Sequence, residues 1–519
     1  MKPFLKLTAV LALISSVTWG AANTPPPIPE QEQPEVLTRG PVHEAFAQPV
    51  ELEDQSGLVA PNEPPADIVE NPPDERPVGK QFVWVPGYWG WDDDHKRYIW
   101  VSGCWRAAPP GTYWVPGYWT QTAAGWEWVA GFWSSSPQNQ IQYLPAPPAL
   151  EKVEAPGAAP SPEDIWVPPC WYWADNRYVL RTGYWVQPLD DWVWIPSHYV
   201  WTPRGYVFIA GRWDYPLARR GVLFTPYYIP RPLYLRPGFS LSLGVVVDLG
   251  LLEVNLFTFP RYCHYYFGDY YGDVYIGLGI YPQFEWRRFH TWYDPLYVHS
   301  RWRHHESREA WYNHERHEYD LRLNDRALRP PRTYHDMEER LARAPEARRG
   351  NLTVVRHMNA VVRSRNEPFK FERMNSRSRE RHFGKADDLH RFRNERREWE
   401  SHGTSPGRIE RPERSRRGVE QQREIPRGPT ERRRPEARTR QPETRTPSAS
   451  TRSESRFGRN RESHLSRPER VQIPSAPIRG MNNRKGFLFH RRVTPSRPRK
   501  ENRVERGGRE RSEHLRHRR

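Results

Sequence analysis

The stretch Trp84-Val85-Pro86-Gly87-Tyr88-Trp89 contains the pattern that decides the fold. Its first and last residues are tryptophans, and a glycine lies between them. The pattern recurs along the chain with its first position at Trp100, Trp114, Trp128, Trp166, Leu180, Trp194 and Phe208. The intervals between successive starts are 16, 14, 14, 38, 14, 14 and 14 residues. The eight copies therefore form two sets of four, separated by one longer interval.

An interval of 14 residues accommodates one β-strand of about six to eight residues and a turn. Most copies carry an aromatic residue two positions before the first tryptophan, as Phe82 does before Trp84. Residues two apart on a strand share a face, and a bulge at the glycine would return the second tryptophan to that face. The pattern predicts two four-stranded antiparallel meanders, packed together or closed into one small barrel.

The repeat tryptophans are predicted to form the core, because each ring buries about 150–250 Å² and few other large apolar residues lie nearby. The predicted core residues are Trp84, Trp89, Trp100, Trp105, Trp114, Trp119, Trp128, Trp133, Trp166, Trp171, Trp185, Trp194 and Trp213. The repeat glycines are Gly87, Gly103, Gly117, Gly131, Gly183 and Gly211. A minority of rings outside these positions, such as Trp91, Trp173 or Trp201, is expected to remain exposed for a ligand.

The eight copies resemble the tryptophan–glycine–tryptophan repeat of bacterial proteins, written YXWGXW or WXXGXW. The resemblance covers Trp84–Trp213, and it implies an exported bacterial protein of uncharacterised function with no catalytic residues to transfer. Four copies depart from the pattern. Copies five and seven carry Pro169 and Ser197 in place of glycine, and copies six and eight lack the first tryptophan.

The first 22 residues, Met1–Ala22, are typical of a secretory signal peptide. Lys2 and Lys6 precede an apolar run, and small residues end it at Ala22. No later segment offers the roughly twenty apolar residues that a transmembrane helix needs. The sequence therefore predicts an exported protein that is periplasmic, associated with the outer surface or secreted, with no transmembrane helix.

Three cysteines permit one disulfide in an oxidising compartment. Cys104 and Cys170 occupy the same position of the repeat and are the favoured candidate pair, with Cys263 left over. Three unpaired thiols are the alternative.

Composition divides the chain into regions of different character. We predict a mainly β fold of Trp-rich antiparallel repeat meanders, followed by short polar helices and long disordered segments. In the polar helical region, Thr333 carries an N-cap signature, and in the β extension Phe239–Leu251 alternates as a strand does. The predicted regions are a signal peptide (1–22), a disordered Pro-rich acidic arm (23–80), repeat set one (81–136), a Pro/Ala linker (137–164), repeat set two (165–221), a Tyr-rich β extension (222–294), a polar helical region (295–400) and a disordered Arg-rich tail (401–519).

The net charge of +17 combines two halves of opposite sign. Residues 1–300 carry a net charge of −10, and residues 301–519 carry +27. An arginine-rich tail favours a polyanionic partner, because guanidinium groups pair with phosphate and carboxylate. The predicted polyanion-binding residues are Arg432, Arg433, Arg434, Arg491, Arg492, Arg518 and Arg519.

These features favour a non-catalytic cell-envelope or matrix protein whose tail binds an anionic envelope polymer or polysaccharide. The alternatives are a carbohydrate-binding module with exposed tryptophan platforms, or extracellular nucleic-acid binding. No nucleophile, phosphate-loop or dinucleotide motif occurs in a suitable context, so no enzyme activity and no cofactor are predicted. His314 and His317 form at most half of a metal site, and no metal is predicted. The oligomeric state stays open.

Overall fold

The computed structural model describes residues 33–50, 57–137, 140–150, 155, 157–289 and 293–401. Antiparallel β-hairpins dominate the first part of this region, and short helices follow. The predicted mainly β class is therefore confirmed. The predicted signal peptide and the seven predicted polyanion-binding arginines lie outside the described residues.

The acidic arm is built into the core, so the prediction of a disordered arm is wrong for its described residues. Val42 and Phe46 have no exposed surface, and Leu58 and Ile68 are also buried. The high proline content and charge of the arm indicated disorder, although it contains these few large apolar side chains. Burial of each such side chain contributes about 1.5–3 kcal/mol to stability. The arm contributes five short strands, β1 (Glu35–Val36), β2 (Gly40–Pro41), β3 (Val59–Ala60), β4 (Val69–Asn71) and β5 (Glu75–Pro77).

Two consecutive copies of the repeat form one antiparallel hairpin, and the chain contains four such hairpins. The first comprises β6 (Phe82–Val85), β7 (Tyr88–Asp92), β8 (Arg97–Val101) and β9 (Cys104–Ala107). The second comprises β10 (Tyr113–Val115), β11 (Tyr118–Thr122), β12 (Gly125–Val129) and β13 (Phe132–Ser134). The third comprises β14 (Ile165–Val167), β15 (Cys170–Ala174), β16 (Arg177–Arg181) and β17 (Tyr184–Val186). The fourth comprises β18 (Val193–Ile195), β19 (His198–Thr202), β20 (Gly205–Ile209) and β21 (Arg212–Asp214).

Each hairpin is bent. Every copy is interrupted at two residues, the second of which is the glycine position, and so forms two short strands. We call these two residues the kink; in copy one they are Pro86 and Gly87. In the first hairpin, β6 pairs with β9 and β7 pairs with β8. Among the described residues, no strand of one hairpin pairs with a strand of another. The repeats thus form four bent hairpins where two four-stranded meanders were expected.

Tryptophans at matching positions face each other across each hairpin. Trp84 pairs with Trp105 and Trp89 with Trp100 in the first hairpin, with ring centroids 5.4 and 5.3 Å apart. The rings meet edge to face, the arrangement that aromatic pairs favour. The eight core tryptophans of set one are buried, whereas the five of set two are half-buried. The predicted tryptophan core is therefore complete in set one and partial in set two.

The β extension mixes strands with short helices. Its strands are β22 (Gly221–Leu223), β23 (Tyr227–Tyr228), β24 (Ser240–Ser242), β25 (Val245–Val247), β26 (Leu256–Phe259), β27 (His264–Phe267) and β28 (Tyr281–Pro282). Its helices are α1 (Arg231–Tyr234), α2 (Leu249–Val254), α3 (Asp273–Leu278) and α4 (Trp286–Phe289). The alternating run therefore ends early, because the Asp248 carboxylate accepts hydrogen bonds from the N–H groups of Gly250 and Leu251 and starts a helix.

The region predicted to be helical contains six helices, α5 (Pro295–Arg303), α6 (Arg308–Asn324), α7 (Tyr334–Arg343), α8 (Glu346–Leu352), α9 (Met358–Arg363) and α10 (Ser376–Ser401), and two strands, β29 (Val355–His357) and β30 (Phe371–Arg373). The Thr333 hydroxyl accepts a hydrogen bond from the N–H of Asp336, which confirms the predicted N-cap. In the part of the chain described, no helix combines the length and apolar character required to cross a membrane.

Candidate functional site

Each repeat glycine lies against the first tryptophan of the copy with which it pairs. A Cβ atom at Gly103 would come within 2.5 Å of the ring carbon Cζ2 of Trp84. The same contact with Cζ2 joins Gly117 to Trp128, Gly131 to Trp114, Gly183 to Trp166 and Gly211 to Trp194. At Gly87 the Cβ would come within 2.8 Å of Nε1 of Trp100 and still closer to the carbonyl oxygen of Val101. Real Cβ atoms do not approach other atoms so closely, so the position requires glycine wherever the partner copy supplies the ring.

The two kinks that lack glycine face the two copies that lack the tryptophan. Copy five carries Pro169, and its partner, copy six, has Leu180 at the first tryptophan position. Copy seven carries Ser197, and its partner has Phe208. Once the indole is gone, its space is free and a side chain is tolerated at the kink. The four departures from the repeat are therefore two coupled changes.

The kinks of the first hairpin converge on one carboxylate from the acidic arm. Gly87 and Gly103 donate their backbone N–H groups to Glu70, at 2.9 and 2.8 Å. The indole Nε1–H of Trp100 donates to the same carboxylate at 2.7 Å. Because the kink interrupts the strand, these N–H groups have no ladder partner, and Glu70 satisfies them. Burial raises the pKa of Glu70, which the three donors oppose.

The second hairpin repeats this arrangement with Glu44. Gly117 and Gly131 donate their N–H groups to its carboxylate at 3.1 and 3.0 Å, and the indole of Trp128 donates at 3.3 Å. Burial raises the pKa of Glu44 to about 7, while the backbone donors favour its ionised form. The acidic arm therefore supplies one carboxylate to each hairpin of set one.

Helix α10 supplies a hydrogen-bond donor to the carbonyl groups at the two kinks of the second hairpin. The guanidinium of Arg396 donates to the carbonyl oxygens of Pro116 and Ala130, at 2.9 and 3.2 Å. These are the residues that immediately precede the two kink glycines. Arg396 also donates to Glu400 at 2.8 Å, and both side chains are fully buried. This ion pair lies within α10, and the two hydrogen bonds from Arg396 to the carbonyls join the helix to the hairpin.

The kinks of set one are thus satisfied from within the chain and its core rings are buried, although Trp128 also borders the cleft described below. The glycine N–H groups of set one bind internal carboxylates, and its core tryptophans are buried. Trp91, expected to remain exposed, is only 2% exposed, and its indole N–H donates to Asp93. The prediction for Trp91 is wrong because the ring packs between Tyr98 and the β extension.

Set two retains an aromatic cleft of about 380 Å³. Its lining includes half-buried Trp171, Trp201, Tyr199 and Tyr206. The 260–263 turn and Trp128 also line it. Trp201, one of the rings predicted to be available, belongs to this cleft. Aromatic faces with part of their surface open to solvent are suited to a flat or CH-rich ligand.

His198 adds a polar group to the cleft. Its Nδ1 lies 2.9 Å from the carbonyl oxygen of Pro196, which fixes Nδ1 as the protonated nitrogen when the ring is neutral. Burial lowers the pKa of His198 to about 4, and the nearby positive charge of Arg212 acts in the same direction. At neutral pH the imidazole is therefore uncharged, with Nε2 as its acceptor.

Two other predictions concern Trp173 and the cysteine pair Cys104 and Cys170. Trp173 is half-buried and packs against Tyr178, with ring centroids 4.8 Å apart, and it does not line the cleft. Cys104 and Cys170 are free thiols, so the predicted disulfide is wrong. The two cysteines do share one repeat position, but they belong to different hairpins. Cys104 packs into the core, and Cys170 lines the cleft.

Sequence reasoning missed Glu44, Glu70 and Arg396, which complete the kinks. No local pattern distinguishes these side chains from the other charged residues around them. In the described residues, no group of three or more His, Cys, Asp or Glu side chains is placed to hold a metal ion.

The chain contains WXXGXW repeats. The two-copy form of this repeat matches residues 82–106, 113–133 and 190–213, which correspond to the first, second and fourth hairpins. The matching unit is therefore the bent hairpin. The third hairpin, which carries Pro169 and Leu180, is outside the matched residues. No curated protein and no solved structure matches the chain.

Proposed function

We propose that the protein is a non-catalytic, exported protein of the cell envelope or extracellular matrix, with the repeats as a scaffold and the Arg-rich tail as the polymer-binding element. The observation that supports a scaffold role is that the hydrogen-bond donors and aromatic rings of set one are already engaged within the chain. Its kink N–H groups donate hydrogen bonds to Glu44 and Glu70, and its core tryptophans are buried. Such a region holds the remaining chain in place and offers little surface for recognition.

The tail supplies the charge for binding. Residues 401–519 contain 34 basic and 14 acidic residues, and they include the seven predicted polyanion-binding arginines. Binding of such a segment to an anionic polymer releases counterions, so its affinity falls steeply as salt rises. An export signal at Met1–Ala22 makes envelope polymers and acidic polysaccharides the available partners.

The test is salt-dependent retention on the envelope. A variant that ends after Ser401 keeps the buried Glu400 and hence the contacts of α10. We expect the full chain to stay bound at low salt and to be released by rising salt, and the truncated chain to be released already at low salt. A full-length control with the seven arginines changed to glutamine separates the effect of charge from that of length. Equal retention of the truncated chain contradicts the proposal.

The aromatic cleft supports a second candidate function, carbohydrate binding. Trp171 and Trp201 line the cleft and are half-buried, so their rings can stack on a sugar. Titration with a panel of neutral polysaccharides should then change the tryptophan fluorescence at any salt concentration. Trp201→Ala should abolish the change, whereas the matched variant Trp173→Ala, outside the cleft, should keep it. No change with any glycan contradicts this function.

A further inference from the structure

Three arginines surround one aspartate inside the protein. Arg106 donates both of its Asp214 hydrogen bonds through Nη2, at 2.6 Å to each carboxylate oxygen. Arg220 forms an ion pair with the same carboxylate at 3.3 Å. Arg106, Arg220 and Asp214 are all buried, with at most 4% of their surface exposed. The carboxylate of Asp214 is therefore fully engaged, and these positive charges keep its pKa below the usual value despite burial.

The third arginine of this cluster is Arg212, which Asp214 reaches only through its charge. It lies on β21, opposite Ile195 of β18, two residues before Asp214. Its Nε and Nη1 atoms are buried without a hydrogen-bond acceptor, and no hydrogen bond or ion pair joins its side chain to the described residues. The residue as a whole is half-buried, so part of its side chain still reaches solvent.

The cluster carries more positive than negative charge. Asp294, the other carboxylate that acts on Arg220, already accepts hydrogen bonds from Tyr265, Gln283 and the N–H of Tyr297. Among the described residues, three guanidiniums thus share two carboxylates, and one positive charge has no carboxylate of its own. Burial of an unpaired charge is strongly destabilising. Burial lowers the pKa of both Arg212 and Arg220 to about 10, as expected for cations that lack sufficient compensation.

We propose that Arg212 and its cluster form a binding site for an oxyanion, a phosphate or carboxylate group carried by a ligand. An oxyanion would supply the acceptors that Nε and Nη1 lack and would neutralise the excess charge. Guanidinium groups bind phosphate and carboxylate through such charge-assisted hydrogen bonds. The site contains no residue of the tail, so its test does not depend on whether the tail binds a polymer.

The experiment uses the full chain with inorganic phosphate as the probe. The thermal unfolding midpoint is measured in rising sodium phosphate and in sodium chloride of the same ionic strength. We expect phosphate to raise the midpoint of the wild type and to saturate, because a ligand that binds only the folded state stabilises it. Arg212→Gln should lose this increase. Arg219→Gln is the matched control, since Arg219 is exposed and pairs with Asp191 at 2.9 Å.

Further measurements bear on the site. Arg212→Gln should unfold at a higher temperature than the wild type when no phosphate is present, because it removes the uncompensated charge. An equal phosphate effect in Arg212→Gln, or none in the wild type, overturns the proposal. If Arg212→Gln does not fold, Arg212→Lys replaces it; a reduced phosphate effect then supports the site, and an unchanged one overturns it. Galacturonate and polygalacturonate in place of phosphate distinguish a carboxylate ligand from a phosphate.

Discussion

The indole ring of Trp194 lies against Gly211 so closely that a Cβ atom on Gly211 would come within 2.8 Å of its ring carbon Cζ2. The next nearest atoms, in Ser197, would be 3.3 Å away. This pair isolates the steric rule of the repeat, because the indole is the one severe obstacle to a side chain at position 211. The tryptophan of one copy thus requires glycine at the kink of the copy with which it pairs.

Gly211→Ala is predicted to destabilise the protein by about 1–3 kcal/mol, the usual effect of overpacking a well-filled site. In a Trp194→Leu background, Gly211→Ala should destabilise the protein much less. Leucine is smaller than tryptophan and leaves space for the added methyl group, as Leu180 does opposite Pro169. A double-mutant cycle measured by urea unfolding gives the coupling free energy, expected at about 1–2 kcal/mol.

The control for this cycle is Gly277→Ala. Gly277 is exposed within α3, and a Cβ there would meet no atom within 4 Å. The substitution should stabilise slightly, by up to about 1 kcal/mol, through helix propensity. Additive effects of Gly211→Ala and Trp194→Leu would show that the ring does not dictate the glycine.

Glu70→Gln should destabilise the protein by about 1–3 kcal/mol per unsatisfied donor, because the amide keeps one acceptor oxygen for three N–H donors. Its NH₂ group would face either Gly87 or the Gly103 and Trp100 pair. Urea unfolding followed by tryptophan fluorescence measures the change. Glu63→Gln, at an exposed position of the same arm, should have almost no effect, and an equal loss at both positions would argue against the kink role of Glu70.

The sequence was sufficient to predict the eight copies, their β-structure and the tryptophan core of set one. The sequence also contains a signal for the pairing of the copies. Pro169 and Ser197 each precede a copy without the first tryptophan, and this coupling is expected only when copies five and six, and copies seven and eight, face each other. A meander with one bulged strand per copy gives no reason for that coupling.

The carboxylates of the kinks could not be predicted, because they act over long separations along the chain. Glu44 lies 73 residues before Gly117, and Arg396 lies 280 residues after Pro116. The sequence predicted a disordered acidic arm and a polar helical region, and neither prediction identifies the few side chains that bind backbone groups. The same long-range packing buried Trp91 and left Trp201 in the cleft.

Arg396→Gln is predicted to be strongly destabilising, by about 3–5 kcal/mol. The substitution leaves the buried carboxylate of Glu400 without its cation and the carbonyls of Pro116 and Ala130 without a charged donor. Arg397→Gln, at the adjacent exposed position, provides the control and should change stability by less than about 0.5 kcal/mol. Thermal unfolding of the two variants in parallel checks the difference; similar midpoints would contradict the role of Arg396.

The purified protein should contain three reduced cysteines and no disulfide. Thiol titration in denaturant without reductant is expected to count three per chain, whereas a disulfide would leave one. In the native protein Cys104 should resist alkylation, because it is fully buried and burial raises the pKa of its thiol. Half-buried Cys263 should react faster, and mass spectrometry of the alkylated peptides distinguishes the two.

His198 should make the protein less stable as the pH falls. Its pKa is lowered to about 4 in the folded state, against about 6.5 in an unfolded chain, so the unfolded state binds the proton first. The contribution of the neutral imidazole is therefore complete above pH 6.5 and is lost as the pH falls toward 4. Between pH 7.5 and 5 the wild type should lose about 2 kcal/mol relative to His198→Asn, which cannot titrate. Urea unfolding of both proteins across this range measures the difference, and NMR of the imidazole should find it neutral at pH 5. Parallel pH profiles would mean that His198 is accessible to protons, and the cleft would then offer a cationic group to its ligand.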